Sequence, residues 1–137
     1  MALDKKTIKM AQGPNYAALT TLFEDGSPQT HTMWVDTDGE HLLINTEIHR
    51  VKYKNIKKDP RVSVMIWKHD DAFKFVEVRG KVVDEITGDE AVANIQDLSE
   101  KYFGKPYPFS IQTERIVLKI LAEREFFFNI KEEDFTN

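Results

Sequence analysis

Cysteine is absent from this chain of 137 residues. Its absence excludes disulfides, thiolate metal sites and a cysteine nucleophile. Long apolar runs are missing too: no stretch approaches the roughly 20 residues of a membrane-spanning helix. The basic N-terminal segment also lacks the apolar region of a secretory signal. We therefore expect a soluble, cytoplasmic protein with no membrane partner.

Positive charge is in the minority, with 19 lysines and arginines against 23 aspartates and glutamates and a formal net charge of −4. Nucleic-acid binding depends on a basic surface, so this balance argues against nucleic acid as the partner. A chain of this length suits one hydrophobic core, and we expect a single domain over residues 1–137.

Alternating apolar and polar residues between turn signals predict a mainly β protein. The predicted strands lie at residues 16–23, 29–36, 41–46, 61–67, 72–86 and 115–130. Helical spacing predicts two α insertions, at residues 48–58 and 88–102, and Pro60 ends the first. Six or more strands with mostly short turns favour an antiparallel sheet that closes into a barrel, because closure removes exposed edges. Gly80, inside the fifth strand, indicates a bulge or a close backbone approach.

Six cations crowd into residues 49–62, on and just after the first predicted helix. Most of them fall on one side of a helical wheel, and the apolar residues, Val51 among them, fall on the side that should face the sheet. Lys52 is the exception, because it falls between Ile48 and Ile56 on the apolar side. An ammonium directed there needs an anionic partner or must reach back to solvent.

Three groups near the start of that helix predict a site for one small anion such as phosphate. Arg50 and Lys52 lie in the first turn, where free backbone N–H groups and the helix dipole already favour an anion. Thr46 adds a hydroxyl just before the helix, and a guanidinium beside an ammonium suits phosphate. The remaining cations are interpreted as solvated or rim charges: Lys54, Lys57, Lys58 and Arg61.

Other candidate sites are weaker. The four histidines have no carboxylate or cysteine at ligand spacing, so no metal site is expected. No pattern assigns a catalytic acid or base. Phe126-Phe127-Phe128 is more aromatic surface than one sheet face can bury, and at least one of these rings is expected to contact another chain.

Three segments carry a resemblance to a known family: DGSPQTHTMWV, DGEHLLINTEIHRVKYKNIKKDPRVSV and FVEVRGKV. Their order over roughly residues 14–84 resembles the flavin-binding split-barrel superfamily. That superfamily includes pyridoxamine 5'-phosphate oxidase and the deazaflavin (coenzyme F420)-dependent reductases. The resemblance implies a six-stranded split barrel, a homodimer, and a flavin bound in a groove at the dimer interface.

The resemblance also implies roles for individual residues. Arg50 and Lys52, in the R-x-K segment, would hold the phosphate of FMN or coenzyme F420. Residues of two neighbouring strands would line the ring system: Thr32, Met33, Trp34, Ile44, Asn45 and Thr46. The C-terminal substrate-binding signature of the oxidase is not recognisable in FFFNIKEEDFTN, so activity on the vitamin is not implied. The spacing from R-x-K to D-P-R-V is closer to the deazaflavin branch, and FMN and F420 both remain candidates.

The expected function is therefore that of a flavin- or deazaflavin-dependent oxidoreductase acting on a small redox substrate. In such enzymes the cofactor carries the chemistry, which suits a sequence without an acid–base pair. Two alternatives stay open at this point. One is a non-catalytic protein that stores or senses flavin or F420, and the other is a haem-handling protein on the same barrel.

Overall fold

The computed structural model describes residues 2–135. Its helices and strands are α1 (Lys5–Gln12), β1 (Tyr16–Leu22), β2 (Pro28–Met33), β3 (Asp36–Thr37), β4 (Leu42–Glu47), α2 (Val51–Lys58), β5 (Arg61–Lys68), β6 (Asp71–Ile86), α3 (Asp89–Phe103) and β7 (Arg115–Phe128), followed by a 3₁₀ turn (Glu132–Phe135). All six predicted strands and both predicted helices are present, although the first helix begins at Val51 rather than at residue 48, so Arg50 precedes its first turn. The short helix α1 was not predicted. Its N-terminus is capped by Asp4, whose carboxylate accepts a hydrogen bond from Lys6 N at 2.8 Å.

The strands form one antiparallel sheet in the order β2-β1-β5-β6-β7-β4-β3. The count is seven rather than six because the two residues of β3, expected at the end of the second strand or just after it, pair instead with β4. β2 and β3 lie at opposite ends of this order, yet only Trp34 and Val35 separate them in sequence. Two residues span a short distance, so the sheet must curl until its two edges meet.

Hydrogen bonding does not continue across those two edges, since β2 and β3 are not neighbours in the sheet. The barrel is thus split between them, as the resemblance implies, and is not closed throughout as the strand pattern alone suggested. Fully buried side chains from β4 to β7 fill its interior: Leu42, Ile44, Val64, Ile66, Val76, Val78, Leu118 and Ile120. α1 contributes Met10 and α2 contributes Ile56 to the same core.

Helix α3 packs on the outside of the barrel. Ala91 of α3 forms a second small cluster with Leu43 of β4 and Val117 of β7. Because successive side chains of a strand point to opposite faces, Ile44 faces the barrel interior while Leu43 and Asn45 face α3. Both faces of β4 are covered in this way, and every residue of the strand is buried.

Gly80 confirms the predicted close approach. A Cβ atom at this position would lie 2.0 Å from the carbonyl oxygen of Leu121 on the neighbouring strand. The register between β6 and β7 shifts between Arg79 and Gly80, which marks an irregularity of the ladder at this point. Only a residue without a side chain lets the two backbones come so close.

Within residues 2–135, no helix is both long and apolar enough to cross a membrane.

Candidate cofactor site

The start of α2 gathers the predicted anion-binding residues. Arg50 is the N-cap residue and its side chain makes no capping hydrogen bond. Lys52, in the first turn, is only 9% exposed and belongs to the buried face of the helix with Asn55 and Ile56. The helical-wheel placement of Lys52 is confirmed. The expectation that Val51 faces the sheet is wrong, because Val51 is about 100° from Lys52 around the helix and lies at the margin of the buried face.

Lys52 is a buried cation without a counter-charge. Among residues 2–135, no carboxylate or hydrogen-bond acceptor pairs with its ammonium. Burial lowers the pKa of Lys52, and the positive charge of Arg50 lowers it further. The cost of burying this charge is therefore left uncompensated by the chain, and an anion placed near it would relieve that cost.

The other two predicted anion-binding groups are also free. Neither the guanidinium of Arg50 nor the hydroxyl of Thr46 has a partner within the described part of the chain. The cations interpreted as rim charges are all exposed, and three of them are paired: Lys57 with Glu85, Lys58 with Glu24 and Arg61 with Asp59. Lys54 is likewise unpaired within the described residues but is exposed to water, so burial distinguishes Lys52 from the cations of the solvent face.

A cavity of about 260 Å³ opens on the outer side of β4, beneath α3. Four predicted ring-lining residues line it: Thr32, Met33, Trp34 and Asn45. The rest of the wall comes from residues that were not predicted: Tyr16, Ile95, Leu98, Tyr107 and Phe109. These five were missed because β1, α3 and residues 104–114 are brought to this cavity only by the tertiary fold.

Trp34 is the central aromatic side chain of this cavity. Its ring stacks on Tyr102 with 5.1 Å between ring centroids and an interplanar angle of 4°. Phe103 packs edge-on against it at 4.9 Å and Tyr107 at 6.3 Å. Four of the nine residues that line the cavity are aromatic, and aromatic faces favour a planar, unsaturated ligand.

The end of α3 fixes the link between β2 and β3 that carries Trp34. The Tyr102 hydroxyl accepts a hydrogen bond from Val35 N and donates one to the carbonyl oxygen of Asn15. Burial raises the pKa of Tyr102 to about 12. The Lys101 ammonium donates to the carbonyl oxygens of Ala11 at 2.8 Å and Val35 at 2.6 Å, and burial lowers the pKa of Lys101 to about 8.

Asn45 is held firmly by protein groups. Its Nδ2 donates to the carbonyl oxygen of Ala91 at 2.8 Å and to Oδ1 of Asn94 at 3.0 Å. Its Oδ1 accepts from Nη1 of Arg115 at 3.3 Å. Both amide protons are thus used within the chain, so Asn45 shapes the cavity but has no proton left to donate to a ligand.

A buried ion pair lies beside this amide. Arg115 Nη2 lies 3.6 Å from Oε2 of Glu47, and both side chains are at least nine-tenths buried. Burial acts to raise the pKa of Glu47. Hydrogen bonds from the backbone N–H groups of Thr113 and Gln112, together with the Arg115 charge, outweigh this and lower it. Both residues were missed, although Glu47 directly follows one predicted strand and Arg115 begins another, and the two pair directly in the sheet.

The predicted residues therefore fall into three places. Thr32, Met33, Trp34 and Asn45 line the cavity, while Thr46, Arg50 and Lys52 lie at or just before the start of α2. Ile44 is fully buried in the barrel core, so its side chain has no surface to offer a ligand. None of the four histidines joins a cluster of three or more potential metal ligands within residues 2–135.

Comparison with known families places this architecture. Residues 3–128 match the sequence profile of the pyridoxamine 5'-phosphate oxidase family. The chain belongs to this family. Pyridoxamine 5'-phosphate oxidase relatives bind FMN, and flavin-dependent oxidoreductases are found among them.

Solved structures of similar fold include an F420 reductase that is 28% identical, with a TM-score of 0.76 over 92% of this chain and 98% of that one. A candidate pyridoxamine 5'-phosphate oxidase from Listeria innocua is 22% identical, with a TM-score of 0.68 over 93% and 98%. The haem storage protein HutZ from Vibrio cholerae is 13% identical, with a TM-score of 0.67 over 97% and 99%. At such low identity, the last two show the split-barrel fold alone.

Proposed function

We propose that this member of the pyridoxamine 5'-phosphate oxidase family is a flavin- or deazaflavin-dependent oxidoreductase. It binds FMN or coenzyme F420 and transfers hydride to or from a small substrate. The observation that carries this proposal is Lys52, a nearly buried ammonium without a counter-charge next to the free guanidinium of Arg50.

The residues at the start of α2 fit the phosphate of such a cofactor. The first backbone N–H groups of a helix lack intrahelical acceptors and favour negative charge. Arg50 and Lys52 supply charge-assisted hydrogen bonds at that end, and Thr46 supplies a hydroxyl. A phosphate held there would give Lys52 the partner that residues 2–135 do not offer.

The aromatic cavity fits the ring end of the same cofactor. Its volume of about 260 Å³ is near the lower limit of ligand pockets, which span about 300–1,000 Å³. A planar ring system suits that space, and the chain that carries the phosphate must then lie outside it. Trp34 and Met33 shape the wall, with Thr32 and Asn45 at its polar positions.

The bound cofactor would supply the redox chemistry by accepting or donating a hydride at its ring. The protein contributes binding, orientation and exclusion of water. The apolar side chains of Ile95, Leu98 and Phe109 form part of the cavity wall. The F420 reductase at 28% identity favours the deazaflavin cofactor, whereas the wider family favours FMN.

We also assign a homodimer to this protein, formed through the outer face of β6 and β7. Phe126 and Phe128 are 43% and 52% exposed there, and Phe128 stacks on Phe75 with 5.2 Å between ring centroids. Phe127, on the opposite face of the strand, packs against the barrel core. Clustered exposed aromatic rings are typical of a protein interface, and a second copy of this chain brings the same apolar face.

The test is to express the protein in a host that makes both cofactors and to identify the bound one by its absorption spectrum. Titration then compares Lys52→Ala with Lys54→Ala, a matched control on the exposed side of α2. We expect Lys52→Ala to weaken cofactor binding about 10- to 100-fold, because a charge-assisted hydrogen bond is lost. Lys54→Ala should leave it unchanged.

Other results would overturn the proposal. If neither FMN nor F420 binds, or if Lys52→Ala binds as well as Lys54→Ala, the phosphate site is wrong. Tight binding without turnover by NADPH or reduced F420 favours a storage or sensor protein. An iron-porphyrin spectrum that depends on one histidine favours a haem-handling protein.

A further inference from the structure

Tyr107 is held in place by several contacts within the segment between α3 and β7. Its backbone N–H donates to Oε1 of Gln96 at 2.9 Å. Its ring packs edge-on against Trp34, and against Phe109 with 5.5 Å between ring centroids. The ring lines the aromatic cavity and is half-buried. The position of this tyrosine is therefore set by the fold, although its segment has no helix or strand.

The Tyr107 hydroxyl has a direction as well as a position. Nη2 of Arg115 donates to the hydroxyl oxygen at 2.5 Å. A guanidinium has five donors and no acceptor, so the phenol must be the acceptor in this contact. Its own proton is left for another group, and no atom within residues 2–135 accepts it. A hydroxyl that accepts a charge-assisted hydrogen bond is also a better donor.

Arg115 is fixed in turn by buried groups. It is 9% exposed, and it contacts the Glu47 carboxylate at 3.6 Å and the Asn45 amide oxygen at 3.3 Å. Glu47 is itself bound by two backbone N–H groups. The chain of contacts from Glu47 through Arg115 to Tyr107 therefore leaves the guanidinium little freedom to turn away.

The other polar groups of the cavity lack this arrangement. Both amide protons of Asn45 are already used by protein acceptors. The hydroxyls of Thr32 and Tyr16 have no partner within the described residues, so nothing fixes their direction. In a mostly apolar pocket, the few oriented polar groups decide which ligand is accepted.

We infer that Tyr107 is a specificity-determining contact of the cavity. Its hydroxyl donates a hydrogen bond to an acceptor atom, a carbonyl oxygen or an unprotonated ring nitrogen, on the edge of the planar ring bound there. Arg115 is a positioning residue that orients the hydroxyl, and Glu47 holds Arg115. This inference rests on the proposed function, because it takes the flavin or deazaflavin ring as the occupant of the cavity.

The test uses lumiflavin, the three-ring flavin that lacks the phosphate chain, so that the anion site at α2 plays no part. Its dissociation constant is measured by fluorescence titration for the wild type and for Tyr107→Phe. Tyr53→Phe is the matched control, since it removes a hydroxyl on α2 that lies outside the cavity and donates to Glu85. We expect Tyr107→Phe to bind about tenfold more weakly and Tyr53→Phe to match the wild type.

A second measurement separates hydrogen bonding from packing. The infrared carbonyl stretch of bound lumiflavin should lie at lower frequency in the wild type than in Tyr107→Phe. Arg115→Met should shift this carbonyl frequency in the same direction as Tyr107→Phe. The double variant should show no larger shift than Tyr107→Phe alone. If Arg115→Met does not fold, Tyr107→Phe carries the test by itself, because it keeps the ring and loses only the hydroxyl.

Three outcomes overturn the inference: no binding of lumiflavin to the wild type, equal affinity and equal carbonyl frequency in Tyr107→Phe, or an equal loss in Tyr53→Phe. The proposed function is judged separately, by FMN or F420 binding and the effect of Lys52→Ala. If FMN binding depends on Lys52 but Tyr107→Phe has no effect, the proposed function stands and the inference about Tyr107 is rejected.

Discussion

Glu47 and Arg115 face each other across the β4–β7 ladder and form an ion pair in the interior of the fold, with 3.6 Å between Oε2 and Nη2. Strand β4, through Glu47, thereby fixes both the segment before β7 and the polar side of the cavity. Removing either residue leaves the other as a buried charge without its partner.

The first prediction follows from this pair. Arg115→Met should lower the free energy of unfolding by about 3–5 kcal/mol, because the Glu47 carboxylate is left buried without its counter-charge. Urea denaturation of the two single variants and of Glu47→Gln/Arg115→Met completes a double-mutant cycle. We expect the double variant to be more stable than the sum of the single losses implies. Additive losses would show that the pair is not coupled.

The second prediction concerns acid. The folded-state pKa of Glu47 is depressed below its ordinary value of 4.5. The stabilisation it gives is therefore present above pH 4.5 and is lost as pH falls through the lower folded-state value. The free energy of unfolding of the wild type and of Glu47→Gln can be measured by denaturation from pH 6 downward. Below about pH 4.5 it should fall more steeply in the wild type. Parallel curves would contradict the lowered pKa.

The third prediction concerns Lys101, whose pKa falls from 10.5 to about 8 on folding. Between these values the unfolded chain binds more protons than the folded one, so this residue makes stability rise with pH. A neutral amine still has two N–H groups for the carbonyl oxygens of Ala11 and Val35. Between pH 8 and pH 10, the free energy of unfolding should therefore rise less, or fall more, in Lys101→Met than in the wild type. Chemical denaturation at the two pH values measures it. An unchanged pH dependence would count against this assignment.

The fourth prediction tests the close approach of Gly80 to Leu121. Gly80→Ala should lower the free energy of unfolding by at least about 1–3 kcal/mol, because its methyl group would overlap the Leu121 carbonyl. Lys81→Ala, an exposed neighbour on the same strand, should change it by less than about 0.5 kcal/mol. Equal effects on thermal unfolding would show that the strand relaxes at this point.

The fifth prediction tests the assigned dimer face. Phe126→Asp should shift the protein from dimer to monomer in sedimentation, because a charge would replace an aromatic ring in the apolar interface. Phe23→Ser is the control, since Phe23 is 36% exposed just after β1 and is not part of β6 or β7. A wild type that is already monomeric, or a Phe126→Asp dimer, would reject this face.

Local signals predicted most of the fold. The alternation of apolar and polar residues and the position of turn-forming residues predicted the strands, because both signals are contained in short segments of sequence. The wheel position of Lys52 belongs to the same class, since helix geometry alone directs it toward the barrel. α1 was missed because its many basic residues make the apolar face that carries Met10 and Ala11 hard to recognise in the sequence.

The sequence by itself determined most of the helices and strands, the family and the unusual direction of Lys52, because each depends on neighbours within a few turns or on a recognisable order of motifs. Only the tertiary structure decided that Tyr107, Arg115 and Glu47 meet, since long-range pairing of β4 with β7 and the packing of α3 bring them together. It also decided that Ile44 lies in the core while Asn45 reaches the cavity. That outcome depends on which face of β4 each neighbouring element covers, and no local pattern specifies it.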